Sequence, residues 1–243
     1  MTKTAILSAL AEEQQGLLEL LQQAQKTRHA GRDYWHGRLH GQPVVLALSR
    51  IGKVAAATTT AALIEHFKVS RIVFTGVAGG LGEGVQVGDV VVAEAFVQHD
   101  MDASPIFPRY EVPLYGQARF ACDPALSALL RQASRSGLES LALPASTLLH
   151  HGLLASGDRF VCGASEARAL RSALAEAGHT VLAVEMEGAA VAQVCFDYGI
   201  PFAAVRTISD RADDTAHVDF PVFVKDVASL YAQAIVRELL KLL

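Results

Sequence analysis

The sequence predicts an α/β protein, a sheet covered by helices on both faces. Three observations carry this. Several short runs are almost continuously apolar and rich in branched residues, as in strands buried on both sides. These runs alternate with stretches of helical periodicity. Glycines stand at the ends of both, where the chain must turn. At 243 residues, 51% hydrophobic and 19% charged, the chain is long enough to bury a sizeable core as one α/β unit.

The first apolar run is "TAILSAL" (Thr4 to Leu10), and a helical pattern follows from Glu12 to Gln25. "PVVLALSRIG" (Pro43 to Gly52) is strand-like and "KVAAATTTAALIEHF" helical. "RIVFTGVAGGLGEG" reads as a strand running into a glycine-rich turn, and "DVVVAEAFVQHD" as another strand. "PALSALLRQASRSG" and "SEARALRSALAEAG" read as helices that stop at Gly137 and Gly178. "TVLAVEM" is a strand. "EGAAVAQVCFDYG" is a helix closed by Gly199, with Pro201 just beyond. "PFAAVRTISD" is a strand, and "FPVFVKDVASLYAQAIVRELLKLL" a long amphipathic closing helix. No repeat, low-complexity tract or linker interrupts this order.

The bulk composition excludes several classes. A net charge of −4 argues against nucleic acid or an anionic membrane as the main partner and permits a neutral or cationic small molecule. Cys122, Cys162 and Cys195 are widely spaced and form no C-x-x-C, which fits a reducing compartment rather than a disulfide framework or zinc site. The apolar run near the N-terminus ends at Glu12 and Glu13, short of a secretory signal or the roughly 20 residues of a membrane span. The expectation is a cytoplasmic protein.

In α/β sheets, ligands sit outside the carboxyl ends of the strands. The residues to examine are therefore Glu12 and Glu13, Ser49 to Gly52, Gly76 to Gly80, Glu185 to Glu187, and Arg206 to Asp210. The most unusual stretch is "LAVEMEGAAVAQVC", where Glu185 and Glu187 flank Met186 in an otherwise apolar run. Desolvating a carboxylate without partners is expensive. Carboxylates at separate strand ends suit an acid/base pair acting on opposite sides of a bond. Each taken singly is also an ordinary helix N-terminal residue complementing the dipole.

"TGVAGGLGEG" (Thr75 to Gly84) fits neither G-x-x-x-x-G-K-S/T nor G-x-G-x-x-G, so it is no nucleotide-phosphate loop. Its glycines suit close backbone approach to a ligand, or a tight turn. "HDMD" (His99 to Asp102) offers too few ligands for a metal centre. Like His150 and His151, it reads as loop residues or structural hydrogen bonds. "SPIFPRYEVPLYG" (Ser104 to Gly116) is too apolar for a plain exposed loop and should pack on its own core or on a partner subunit.

Five segments, taken together, resemble a known family. They are "ALAEE", "SRIGKVAAATTTAALIEHF", "FTGVAGGL" with "VQVGDVVVAEAFVQHD", "ASGDRFV", and "VEMEGAAVAQVC" with "GIPFAAVRTISDRAD". They look like the 5′-methylthioadenosine/S-adenosylhomocysteine nucleosidases of the nucleoside phosphorylase group, over nearly the whole chain and in the right order. The resemblance implies one domain over residues 1–243, a three-layer α/β/α sandwich with a central mixed sheet, and a homodimer. It also implies a reaction. Water cleaves the bond from ribose to adenine in 5′-thioadenosine compounds, with no cofactor and no metal.

Roles carry over by motif. Asp210 in "TISD" matches the acid that protonates the purine, with Ser209 as its orienter. Glu13, the second glutamate of "ALAEE", matches the residue that activates water. Glu187 matches the carboxylate, taken as ionised, that grips the ribose hydroxyls, and Met186 the residue beneath the sugar. Phe160 and Val161 match the adenine stack and the backbone contact to the base edge. Arg206 matches a residue near the water. Val77 and Ala78 fall in the glycine-rich turn beside the substrate, and Leu10, Ile51 and Phe220 should line the sugar and thioether end. Many family members carry serine at the position of Val77, where it helps hold the water. A subset has valine, and there the water would lean on Glu13, Arg206 and Glu187. The segment "HDMDASPIFPRYEVPLYG" differs from better-known members. By its place in the family, Ile106, Phe107, Tyr110 and Pro113 should reach across the dimer to close the 5′ pocket.

This chemistry suits the residues. Glycosidic cleavage builds positive charge on the ribose and negative charge on the purine, and contacts that strengthen with that charge accelerate it. Asp210 must hold a proton near neutral pH, so burial must raise it above the free value of about 3.9. A phosphate dianion beside Glu13 would be repelled, which favours water. The alternatives are a purine nucleoside phosphorylase, an aminodeoxyfutalosine nucleosidase, or a silent nucleoside-binding protein on the same fold.

Overall fold

A computed structural model describes residues 2–141, 143–144, 146–213, 216, 220 and 223–243. The near-continuous apolar runs lie at its centre. β1 (Thr4–Ser8) and β10 (Phe202–Asp210) are buried at every position, and β6 (Val90–Gln98) at all but one. The other strands are β2 (Gln22–His29), β3 (Arg32–Leu39), β4 (Gln42–Leu48), β5 (Arg71–Gly80), β7 (Arg119–Ala121), β8 (Leu149–Ser156) and β9 (Val181–Glu185). The helices are α1 (Ala11–Glu19), α2 (Lys53–Glu65), α3 (Pro124–Glu139), α4 (Ala164–Glu176), α5 (Gly188–Tyr198) and α6 (Ser229–Leu242).

All ten strands form one mixed sheet in the order β10-β6-β8-β9-β5-β1-β4-β3-β2, with β7 on β6. β10 also pairs with β5. The sheet thus closes on itself through β5, β10, β6, β8 and β9, and β1, β4, β3 and β2 extend from it as a wing. Register shifts at Ile208/Asp210, Ala93/Ala95 and Leu153/Leu154 bend three of the closing strands, as bulges do. α2 and α5 cover one face, and α3 and α6 the other, with α1 beside α6. This is the predicted arrangement of helices on both sides of a mixed sheet. β1, β5 and β10 are parallel neighbours, so their carboxyl ends meet at one place.

The sequence reading names no strand at β3, β7 or β8, and three of the boundaries it does give differ. α1 stops at Glu19, and Gln22–Gln25 belong to β2. β2 is an exposed edge strand with no apolar face, so no periodicity announces it. It turns into β3 through Ala30 and Gly31, both at positive φ, a hairpin geometry. α3 runs past Gly137 to Glu139. There the glycine serves packing: a Cβ on it would lie 3.0 Å from the Ala234 backbone of α6. The closing helix is not uniform, because a π-helical turn (Val224–Ala228) leads into α6. Pro221 and Val222, within that predicted helix, lie outside the described residues. No helix among the described residues is long and apolar enough to cross a membrane.

Candidate active site

The first carboxyl group enters from the β1–α1 junction. Leu10 is the extended N-cap of α1 and has no side chain able to cap it. Glu13 reaches back instead. Its Oε2 accepts the backbone N–H groups of Ala9 at 2.8 Å and Leu10 at 2.9 Å, and its Oε1 accepts Val77 N–H at 3.1 Å. The carboxylate therefore bridges β1 to the glycine-rich end of β5. Gly76 makes this approach feasible, since a Cβ there would stand 3.1 Å from Oε1. Burial raises the Glu13 pKa, opposed by the Leu10 N–H and the charge of Arg206. Glu12 points outward and is exposed.

The β9–α5 junction supplies two more. Glu185 is saturated by the protein. It accepts the N–H groups of Glu187 and Gly188, the Ser156 hydroxyl, and Arg206 Nη2 at 2.8 Å. It therefore caps α5 and neutralises the buried Arg206, the role the sequence left open. Glu187 makes one such bond, from Gly52 N–H to Oε1 at 2.8 Å. Burial, then repulsion from Glu185, pushes the Glu187 pKa up to about 8. The carboxyl of the ligand-free site thus takes up a proton below that pH.

The last comes from the end of β10. Asp210 is 2% exposed. Its Oδ1 accepts Ala212 N–H at 2.8 Å, and the Ser209 hydroxyl lies 2.8 Å from Oδ2. Gly79 on the neighbouring strand leaves room, since a Cβ there would be 2.9 Å from Oδ1.

These groups share one cavity of about 320 Å³. Its lining contains Leu10, Glu13, Ile51, Val77, Ala78, Phe160, Val161, Met186, Glu187, Ser209, Asp210 and Phe220, all expected there from the sequence. Ile51 and Phe160 stand at the rim, 57% and 40% exposed. The Phe160 and Phe220 rings meet edge to face, with centroids 5.5 Å apart. Ala9, Gly79, Arg159, Val184 and Glu185 also line the cavity. Sequence reasoning assigned none of the first four a role, although Arg159 stands inside the quoted "SGDRFV" and Ala9 inside "ALAEE".

Arg206 is not in the lining. Its guanidinium is buried behind the cavity wall, bonded to the Phe74 and Val205 carbonyls and to Glu185, and stacked 3.9 Å over the Phe74 ring. Its charge acts on Glu13 and Glu187 from there, lowering both against burial. Ile106, Phe107, Tyr110 and Pro113 do not line the cavity either. Tyr110 is buried in its own chain, edge to face with His179 and beneath Arg109. Ile106 is 82% exposed, and Phe107 and Pro113 are half-buried. His150, on β8, bonds the buried Asp89 at 2.8 Å, a structural hydrogen bond. Among the described residues no group of three or more His, Cys, Asp or Glu is arranged to hold a metal ion.

The arrangement presents carboxyl groups from three strand ends to one mostly apolar cavity. The guanidinium in the lining, Arg159, is largely exposed and paired with Glu166 at 3.0 Å. Such a site can donate and accept protons and grip hydroxyls, and among the described residues it offers no buried, unneutralised cation to an anionic co-substrate. Fold and site together fit an enzyme working by acid–base chemistry on a small hydroxyl-bearing molecule.

The comparisons agree. The sequence profile of the phosphorylase superfamily matches residues 3–241. A 5′-methylthioadenosine/S-adenosylhomocysteine nucleosidase of Chromohalobacter salexigens is 36% identical over 98% of both chains. The crystal structure of the nucleosidase of that name from Neisseria meningitidis, in complex with methylthio-immucillin-A, superposes with a TM-score of 0.90 at 35% identity over 100% of both chains. A futalosine hydrolase mutant of Helicobacter pylori superposes at 0.88, with 31% identity over 100% of both. The chain belongs to the phosphorylase superfamily and, within it, to the 5′-methylthioadenosine/S-adenosylhomocysteine nucleosidase family; it is an enzyme that hydrolyses N-glycosidic bonds.

Proposed function

We propose that this enzyme hydrolyses 5′-methylthioadenosine and S-adenosylhomocysteine to adenine and the thioribose, with Asp210 as general acid and a water activated by Glu13. The observation that carries this reading is the convergence of Glu13, Glu187 and Asp210 on one cavity from separate strand ends. Adenine would lie against Phe160, near the Val161 backbone and within reach of Asp210. The ribose would sit over Met186 with its hydroxyls on Glu187. Those hydroxyls donate to a carboxylate, so binding favours the ionised form that burial disfavours in the free site. Negative charge developing on the purine is relieved by the proton from Asp210, and positive charge on the ribose is met by Glu187.

Water rather than phosphate follows from the charges. Glu13 and Glu187 face the cavity, and Glu185 already neutralises Arg206. A phosphate dianion would find no unneutralised buried cation among the described residues, and Glu13, which must be ionised to activate water, would repel it. The exposed Ile106 and Leu114 suit a homodimer in which this segment borders the partner's cavity. Cysteines free of disulfides suit a reducing, cytoplasmic setting.

The test is adenine release from methylthioadenosine in phosphate-free buffer. Release at full rate supports the hydrolase. Release only on adding phosphate makes it a phosphorylase and removes the role of Glu13. Turnover of a futalosine-type nucleoside but not of methylthioadenosine would favour the second reading, which the likeness to the Helicobacter pylori hydrolase keeps alive. A fully active monomer at micromolar concentration would refute the dimer.

A further inference from the structure

His99 and Asp100 of the "HDMD" stretch have no part in the chemistry above, yet they stand beside the loop that carries Phe160. The Asp158 carboxylate Oδ1 accepts the backbone N–H of Lys53 at 2.7 Å. The backbone N–H of Asp158 donates to Asp100 Oδ2 at 2.9 Å. The other Asp100 oxygen accepts Lys53 Nζ at 2.6 Å, and Nζ also donates to Gln98 at 2.9 Å. Lys53, Asp158 and Asp100 therefore form a closed ring of three hydrogen bonds. It ties together the end of β6, the start of α2 and the loop after β8.

The ring has a neighbour in the active site. Gly52 N–H, one residue before Lys53, is the donor to Glu187. Consecutive N–H groups at the start of α2 thus hold the cavity's ribose-side carboxyl group and the anchor of its base-side loop. His99 backs the same loop. Its N–H donates to the Ser156 carbonyl at 2.9 Å, and its ring packs so closely on Gly157 that a Cβ there would lie 2.3 Å from ring atoms. The Lys53 and Asp100 side chains are 17% and 32% exposed, so their charge-assisted bond is only partly screened. Asp102 takes no part: it bonds Ser104 and approaches Arg109 at the surface.

We propose that Asp100, Lys53 and Asp158 are positioning residues, a clasp that fixes the Phe160 loop at a set distance from Glu187 and so sets how a nucleoside is held at its base and ribose together. This rests on the nucleosidase reading. Asp100→Ala and Asp158→Ala should each raise KM for methylthioadenosine about tenfold, the scale of one charge-assisted hydrogen bond. kcat should stay within about threefold, since ground-state holding is what is lost. Opening a ring once or twice has the same effect, so the double variant should match the worse single variant. Asp158→Asn, which keeps a side-chain oxygen for the Lys53 N–H, should recover most of the loss.

Multiplying KM effects in the double variant would overturn the clasp. So would an unchanged KM, alone or with a lowered Tm. If Asp158→Ala does not fold, Lys53→Met opens the same ring with the backbone N–H intact. Amide exchange is independent of catalysis: Asp100→Ala should expose the Asp158 amide, which donates to Asp100, and unchanged protection would overturn the clasp. A wild-type protein that releases no adenine would instead sink the nucleosidase reading, with the exchange result still deciding the clasp.

Discussion

The β1–α1 and β9–α5 junctions look alike in sequence. Each places two glutamates at the start of a helix, and either pair could merely complement the dipole. They divide the work differently. At β1–α1 one glutamate is exposed and the other, Glu13, is buried on three backbone N–H donors. At β9–α5 both are buried, and Arg206 separates them. Glu185 takes the guanidinium, a hydroxyl and the helix N–H groups, while Glu187 keeps one N–H partner and faces the cavity. A carboxylate given an internal counter-charge holds the fold. One left with few donors at a cavity wall is available to a ligand.

The largest test removes the counter-charge. Arg206→Met should cost about 3–5 kcal/mol of stability, because it leaves Glu185 as a buried unpaired charge. Glu187→Gln should cost far less, having no buried cation to orphan. Denaturant unfolding of the two variants checks this. Equal losses would erase the distinction between the two glutamates.

A second test uses pH. Glu187 is raised from 4.5 to about 8, first by burial and then by Glu185, so the native state holds a proton that the unfolded chain has released. Stability from this group is fully present below about pH 4.5 and is lost as pH rises toward about 8, levelling above. Glu13 is raised in the same direction. Tm measured from pH 5 to 9 should therefore fall with pH in the wild type and fall less steeply in Glu187→Gln. An unchanged slope in the variant would place the titration elsewhere.

The chemistry gives the third. Asp210→Asn should keep ligand binding and lose at least about 100-fold in turnover, the lower range for a general acid. Glu13→Gln should stop hydrolysis to a similar extent. Near-wild-type turnover in either would show that its carboxyl group is structural, as Glu185 is.

Much of this was legible before the structure. Continuous apolar runs such as "VVVAEAFV" announce central strands because both faces are buried, and the polar residues after them mark the cavity end. The lining from Leu10 to Phe220 could be named because it follows motifs. What the sequence could not show was pairing across distance. Arg206 and Glu185 are 21 residues apart, and nothing local says that one guanidinium is spent on one of two adjacent carboxylates. Lys53 and Asp158 are 105 residues apart, so "HDMD" stayed without a role. β2 was misread because an edge strand exposed on both faces carries no hydrophobic period. Tyr110 is assigned to a partner's pocket by its segment's place in the family alone, and that likeness does not say that its ring packs on His179 in its own chain.

The smallest effect sharpens the site most finely. Ser209 Oγ lies 2.8 Å from Asp210 Oδ2 and 3.4 Å from the Ala78 carbonyl. A hydroxyl has one proton and can also accept. When Asp210 is ionised, Ser209 donates to it. When Asp210 carries its proton on Oδ2, Ser209 can accept that proton's hydrogen bond and turn its own toward Ala78. Oδ1 cannot play this part, because Ala212 N–H occupies it as a donor. Ser209→Ala should thus lower kcat by about threefold to tenfold, the scale of one neutral hydrogen bond, with KM little changed. Ser209→Thr, which keeps the hydroxyl, should restore it. A loss as large as that of Asp210→Asn would mean that Ser209 handles the proton itself. No loss would mean that Asp210 is oriented without Ser209, which would bring it closer to the protein-held pattern of Glu185 than to that of Glu187.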